Sequence, residues 1–154
     1  MIKKGLLVLL AAFVVIQFFR PEKNQAAGLS ANDISKHVEV PENIAQVLSR
    51  SCYDCHSNNT SYPWYSNIQP VAWWLNDHVT EGKAELNFSE FGTYKPKRQA
   101  HKMEEVAEML EADEMPLKSY TIIHGDAVLN ADEKAAVISW AKALEVQIKQ
   151  ANNL

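Results

Sequence analysis

Cysteine is scarce in this sequence: two occur among 154 residues, and both lie in the stretch SCYDCHSNN, residues 51–59. A structural zinc site needs further ligands, and neither a second cysteine pair nor regularly spaced histidines supply them. A thioredoxin-like dithiol switch would follow a strand within a βαβ pattern, which the sequence does not show. Zinc, a dithiol switch and a local disulfide therefore stay open as the less favoured interpretations of the pair.

A histidine directly follows the second cysteine and completes the pattern C-x-x-C-H at Cys52, Cys55 and His56. The pattern is typical of covalent haem attachment. The two thiols add to the vinyl groups of the porphyrin, and the adjacent imidazole binds the iron as its proximal ligand. This chemistry requires the three side chains to lie on one short helical turn. It predicts one covalently attached haem c as the cofactor.

Basic residues are too few beyond the N-terminus to favour nucleic acid as a partner. After Arg20 there are 12 Lys and Arg residues against 19 Asp and Glu residues, a net charge near −7 with neutral histidines. A surface of that sign repels a phosphate backbone. The roughly 130 residues after Arg20 are enough for one domain and too few for two.

The N-terminus carries the charge pattern of a signal or anchor segment. Two lysines precede an uncharged, mostly apolar run, residues 5–19, which Arg20 ends. The run is shorter than the roughly 20 residues of a comfortable membrane span, which favours a cleavable signal peptide. No small-x-small cleavage triplet closes it, however. We therefore predict an uncleaved hydrophobic helix over residues 1–20 that anchors the protein, with the lysines on the inner side of the membrane.

The stretch after the anchor is small and polar, which predicts a flexible tether over residues 21–36. The rest of the chain, residues 37–154, is then the haem-binding domain. Haem c is attached outside the cytoplasm, so we expect the domain on the exported side, in the periplasm or at the cell-envelope exterior.

Helical periodicity is frequent and strand signals are nearly absent. Four segments show helical spacing: residues 41–56, which end in C-x-x-C-H, residues 67–83, residues 96–113, and residues from 130 onwards. In the second, Val71, Trp74, Leu75 and His78 share one face, and the helix stops near Gly82. In the last, Asn130 and Glu133 can form a capping box. The sequence predicts an all-α domain.

Three longer stretches resemble a known family: CYDCHSNNTSYPWYSNIQPVAWWL, HVTEGKAELNFSEF and EMPLKSYTIIHGDAVLNADEKAAVISWA. They are similar to the small, membrane-anchored haem-binding domain family of cytochrome c type. The resemblance covers nearly the whole chain after the anchor. It implies a cytochrome c-like helical domain around one covalent haem, and little about partners.

Met115, in the stretch ADEMPLKSY, is our candidate for the sixth iron ligand. Class I cytochromes place a methionine, often followed by proline, on a loop between the last two helices. A soft thioether raises the potential of the iron and suits electron transfer. Two alternatives stay open: Met115 only packs on the core, or His78 is the ligand. The dense aromatic residues, Trp64, Trp73, Trp74, Phe88 and Tyr120 among them, are expected to pack against the porphyrin.

Three functions are compatible with these features. The favoured one is a monomeric, membrane-tethered monohaem cytochrome that carries single electrons between other redox proteins of the cell envelope, with no catalytic residue. The alternatives are a haem-based sensor and a small peroxidase-like enzyme, and both require an exchangeable sixth ligand. An electron carrier or haem-binding module is expected rather than an enzyme.

Overall fold

The structure is a computed structural model that describes residues 2–154. Over that range the chain forms seven α-helices and no strand, which confirms the all-α prediction. The helices are α1 (Ile2–Ile16), α2 (Glu42–Ser51), α3 (Tyr53–His56), α4 (Val71–Glu85), α5 (Pro96–Glu111), α6 (Lys118–Thr121) and α7 (Ala131–Ala151). Short 3-10 helices lie at Ile34–Lys36, Trp64–Asn67, Phe88–Thr93 and Gly125–Ala127.

Local sequence explains where α7 begins. The side chain of Asn130 accepts a hydrogen bond from the backbone N–H of Glu133, and the carboxylate of Glu133 accepts one from the N–H of Asn130. This reciprocal pair is the predicted capping box, and it satisfies two donors that a helix N-terminus leaves free. Arg50 of α2 also binds the Glu133 carboxylate, so the cap joins α7 to the helix that leads into C-x-x-C-H.

The core forms where α5 and α7 pack along their length and α2 closes one side. The apolar stripe predicted for residues 96–113 faces this core through Ala100, Met103, Ala107 and Leu110. The largest fully buried side chains are Phe88, Phe91, Ile34, Leu48, Met103, Gln69 and Val137. The start of the short α3 turn thus packs against a single apolar core.

α1 is mostly apolar, and all its side chains except that of the half-buried Ile16 are exposed. Among residues 2–154, no helix combines the length and the apolar character that crossing a bilayer requires. The membrane anchor over residues 1–20 therefore stays a prediction.

The segment after α1 makes several hydrogen bonds to the helical part. Asn24 is the main contact: its side-chain amide donates to Ser57 O at 2.8 Å and to the Thr60 hydroxyl at 2.9 Å, and it accepts from Lys83. Ala26 N donates to Asn58 O at 3.0 Å. The segment thus lies beside the loop that follows His56, while the division into anchor, tether and domain stays a prediction.

Candidate functional site

Cys52, Cys55 and His56 lie where α2 ends and α3 begins. Cys52 N still donates to Leu48 O, the last bond of α2, and His56 N donates to Cys52 O at 2.9 Å, which closes the α3 turn. The three side chains therefore share one short helical turn, the local geometry that the C-x-x-C-H pattern requires.

Cys52 and Cys55 form no disulfide, and their surroundings favour the protonated form of an unmodified thiol. Burial, with a smaller effect from the neighbouring Cys55, raises the pKa of Cys52 to about 12. Burial and then the Asp54 carboxylate raise the pKa of Cys55 to about 11. In dithiol switches, by contrast, the pKa of the nucleophilic thiol is lowered. The pair is thus placed in surroundings unlike those of a reactive redox dithiol.

The imidazole of His56 is held by two backbone carbonyls. Its Nδ1 lies 2.9 Å from Gly82 O and 3.0 Å from Leu86 O. Carbonyl oxygens only accept hydrogen bonds, so Nδ1 must carry the proton. In the neutral ring the lone pair is then on Nε2. Histidine ligands of metals commonly have this arrangement, in which the second ring nitrogen donates to the backbone.

Gly82 allows α4 to approach the α3 turn closely. A Cβ atom at this position would lie 2.8 Å from Cys55 O and 3.1 Å from the Cys55 Cβ. Any side chain would therefore push α4 away from α3, and with it the carbonyls that hold His56. The sequence interpretation ended the helix near Gly82, whereas α4 continues to Glu85. The glycine serves a close helix contact rather than a helix end.

Met115 reaches the same region through the turn that ends α5. Asp113 adopts a left-handed conformation with φ 57°. Asp113 N donates to Leu110 O at 3.2 Å and Glu114 N to Met109 O at 3.0 Å, the hydrogen-bond pattern of a Schellman motif. Met115 N adds a third bond, to Met109 O at 3.3 Å. The position of Met115 is thus set by the way its helix terminates.

Two neighbouring cavities open beside the C-x-x-C-H turn. One, of about 380 Å³, is lined by Cys52, Cys55, His56 and Met115 together. The other, of about 410 Å³, shares Cys52, His56 and Met115 with the first and is otherwise mostly apolar, with Leu86, Phe88, Leu110 and Val137 in its wall. Each volume lies within the range of small-molecule and cofactor sites.

The donor set around these cavities fits a haem group. Two thiols, an imidazole nitrogen with a free lone pair and a thioether border one cavity. Ser51 lines both cavities, and its buried hydroxyl oxygen has no hydrogen-bond partner within the described residues. A buried polar atom without a partner is uncommon in a complete protein interior. It is consistent with a space that a bound group fills.

His78, the alternative ligand, also lines the 380 Å³ cavity. Its Nδ1 is 2.8 Å from Trp74 O, and its ring lies 4.4 Å from the Trp74 ring. The structure therefore brings both candidate sixth ligands to the space beside His56. His78 differs from Met115 in one respect, because it stands one turn before Gly82 on the helix that already supports His56.

Two of the aromatic residues that we expect to pack against the cofactor line the cavities. Phe88 lines the larger cavity and Tyr120 the smaller one. Trp64, Trp73 and Trp74 are exposed and line neither cavity, so for them packing against the cofactor stays a prediction. Sequence reasoning also missed Ser51 and Gly82, since neither residue type indicates a cofactor by itself.

Comparison with known proteins gives one finding. A family model described as "Haem-binding domain" matches residues 11–143, more than half of the chain. No curated protein and no solved structure matches the chain.

The close α3–α4 contact leads to a prediction for Gly82→Ala. Within a helix this change would normally stabilise by up to about 1 kcal/mol. Here the added Cβ meets Cys55 O, so we expect a loss of about 1–3 kcal/mol, as for other overpacked sites. The measurement is urea unfolding of the purified protein. Gly125→Ala is the matched control, since no atom lies within 4 Å of its Cβ position. A Gly82→Ala protein as stable as the parent would contradict the close contact.

Proposed function

The chain belongs to the haem-binding domain family, and we propose that it is a membrane-tethered monohaem cytochrome of c type that carries single electrons on the exported side of the membrane. One observation carries the proposal. The two thiols of C-x-x-C-H, the following imidazole and the thioether of Met115 line a single cavity, although Met115 is 59 residues from His56 in sequence.

Attachment is assigned to Cys52 and Cys55. They would hold the porphyrin through two thioether bonds, in which each sulfur would be bonded to one vinyl carbon and the thiol proton would have gone to the other. The α3 turn supports this role, because it presents both sulfurs to the same cavity as His56. Haem iron, when bound, supplies reversible exchange of one electron.

Axial ligation is assigned to His56 Nε2 and Met115 Sδ. The carbonyls of Gly82 and Leu86 support the first assignment, because they hold the proton on Nδ1 and leave Nε2 free. The Schellman turn at Asp113 supports the second, because it fixes where Met115 meets the cavity. If haem is bound, His56 and Met115 would hold the iron from two different parts of the fold. Met115 comes from a different element, whereas His78 lies on the helix that holds His56.

The tether is assigned to the apolar N-terminal segment. α1 presents exposed leucine, valine and phenylalanine side chains with nothing from the described part of the chain covering them. Lys3 and Lys4 at its start support an orientation with the helical domain on the exported side. The acidic charge of that domain suits envelope redox proteins with basic docking surfaces as partners for a monomer.

The first prediction concerns covalent attachment. Protein made in a host with haem-attachment machinery should keep its haem through acid-acetone extraction, because thioether bonds survive that treatment. The double variant Cys52→Ala, Cys55→Ala should release all haem into the solvent. The control is Ser61→Ala, which changes an exposed residue of the loop after His56. It should keep its haem through the extraction, as the parent does. Covalent haem in the double variant would disprove the assignment.

The second prediction concerns the sixth ligand. Met115→Ala should remove the weak charge-transfer band of thioether-bound ferric haem, lower the potential and admit carbon monoxide, since loss of a soft neutral donor disfavours the ferrous state. Absorbance and redox titration measure all three. Met109→Ala makes the same chemical change on the wall of the larger cavity and should leave the band intact, as should His78→Ala.

Two other outcomes would change the assignment of the sixth iron ligand. If His78→Ala converts the iron to high spin while Met115→Ala does not, His78 is the ligand and the potential is lower. If neither variant changes the spin state, the sixth position is exchangeable. The sensor or peroxidase-like function would then be favoured over the electron carrier.

The third prediction concerns location. The full-length protein should sediment with membranes and resist extraction by high salt, and a reporter fused after Leu154 should be active only on the exported side. Charged substitutions in the apolar run, Leu9→Arg with Phe13→Arg, should abolish this behaviour, because an arginine at the centre of a span costs roughly 2.5–3.5 kcal/mol on insertion scales. Full-length protein in the soluble fraction would show that no anchor exists.

A further inference from the structure

Aromatic and aliphatic side chains are exposed on two short segments, residues 18–19 just after α1 and residues 64–74 around the start of α4, and hydrogen bonds of Gln69 and Trp73 to Phe19 O join the two segments. Phe18 is 83% exposed and Trp64 is 76% exposed, and Phe19, Trp73 and Trp74 are exposed to lesser degrees. Val71 and Ile68 extend the apolar surface along the start of α4. We define the interfacial surface as Phe18, Phe19, Trp64, Ile68, Val71, Trp73 and Trp74.

The interfacial surface is continuous with α1 because hydrogen bonds fix one to the other. Gln17 and Gln69 form a reciprocal pair: Gln69 N donates to Gln17 Oε1 at 2.9 Å, and Gln17 Nε2 donates to Gln69 O at 3.3 Å. Phe19 O accepts from Gln69 Nε2 at 2.7 Å and from Trp73 Nε1 at 2.8 Å. Gln69 itself is fully buried. We call these four residues the clamp.

The clamp gives α1 a defined direction relative to α4. A flexible linker would leave the helical domain free to rotate above an anchor, but four hydrogen bonds between side chain and backbone, three of them partly buried, resist such motion. The indole N–H of Trp73 is satisfied by Phe19 O, while its ring stays partly exposed. An aromatic residue with a bound polar group and an exposed apolar ring is typical of the membrane–water interface.

Charge along α4 agrees with an interface at its first turn. No acidic residue lies in that turn, whereas Asp77, Glu81 and Glu85 follow further along the helix. Just after α1, Arg20 and Lys23 flank Glu22, and the Lys23 ammonium group stands 5.2 Å from the Tyr62 ring centre. Basic residues thus outnumber acidic ones by one after α1, whereas the acidic residues of α4 lie beyond its first turn, a distribution that favours an anionic lipid surface at that turn.

We infer that the interfacial surface docks the helical domain on the lipid bilayer and that the clamp fixes the domain in one orientation on it. The inference rests on the proposed anchor. The occupant is a lipid surface rather than a protein partner, since the surface continues directly from the apolar residues of α1. α4 then stands with its first turn at the lipid and its C-terminal end, which holds His56, away from it.

The test uses full-length holoprotein in bilayer discs of phosphatidylcholine and phosphatidylglycerol. A spin label on Trp64→Cys reports collisions with oxygen, which concentrates in lipid, and with a water-soluble nickel chelate. We expect a several-fold higher oxygen-to-nickel ratio than for the same label on Val146→Cys. Val146 is the matched control, because it is apolar, 49% exposed and on α7.

The clamp is tested with the variant Gln17→Ala, which removes both bonds to Gln69 while sparing the buried glutamine. Disc association should persist, but the Trp64→Cys label should become more mobile and its oxygen-to-nickel ratio should fall towards the value in water. Gln46→Ala, which removes an exposed glutamine on α2, should leave both readings unchanged. Equal readings for Gln17→Ala and Gln46→Ala would overturn the clamp.

Failure of the inference can be told apart from failure of the proposed function. If the protein elutes with the discs but the Trp64→Cys label matches Val146→Cys, the docking inference is wrong and the anchor stands. If the protein elutes apart from the discs, the anchor itself is wrong. Labelling of the parent protein without an added cysteine would show free Cys52 or Cys55 thiols, which contradicts covalent haem.

Discussion

The hydrogen bonds from His56 Nδ1 to the carbonyls of Gly82 and Leu86 are the contact on which the candidate site depends. They set the tautomer of the ring and so decide which nitrogen can bind a metal. They also lie at the C-terminal end of α4, where the helix dipole places partial negative charge. The proton on Nδ1 therefore points towards partial negative charge, and Nε2 keeps the lone pair that can bind a metal. Only a glycine at position 82 lets α4 come near enough to α3 for this contact.

Hydrogen bonds hold the loop after His56 from two sides, and those on one side come from the N-terminal segment. Asn58 binds the Glu90 carboxylate at 2.8 Å and accepts from Asn87 at 2.8 Å. On the other side, Asn24 binds Ser57 and Thr60. Asn24 also satisfies the carbonyl of Ser57, and the Ser89 hydroxyl accepts from Asn58 N, so side chains satisfy part of the loop's backbone without regular secondary structure. Movement of the N-terminal segment would therefore disturb the loop that directly follows His56.

Sequence reasoning predicted the features whose interacting residues lie close together in the chain, and it failed for the contacts between helices. C-x-x-C-H specifies its own turn, and Asn130 and Glu133 specify their own cap, since every partner lies within a few residues. For α4 the apolar face was assigned to Val71, Trp74, Leu75 and His78, but the residues that the helix buries are Ala72 and Val79. Large side chains cannot fit where α4 lies against its neighbours, so the small residues face inwards and the indoles face outwards. Which side chains face inwards depends on the distance between the packed helices, and the spacing of apolar residues in the sequence does not give that distance.

The reason for which Met115 was chosen as a candidate ligand differs from the structural feature that brings it to the cavity. Its sequence context suggested a ligand loop, whereas its place at the cavity results from Asp113, which turns the chain with a positive φ. Asp tolerates that conformation better than most residues but less well than glycine. Its carboxylate is held by Lys134 of α7 at 2.6 Å, and the ammonium group keeps the pKa of that carboxyl below its usual range. The loop that carries Met115 is thus joined to α7, and α7 is joined through the Glu133–Arg50 ion pair to α2, the helix that leads into Cys52 and His56. The two sides of the cavity are therefore connected through the helical core, and their separation is set by how α5 and α7 pack.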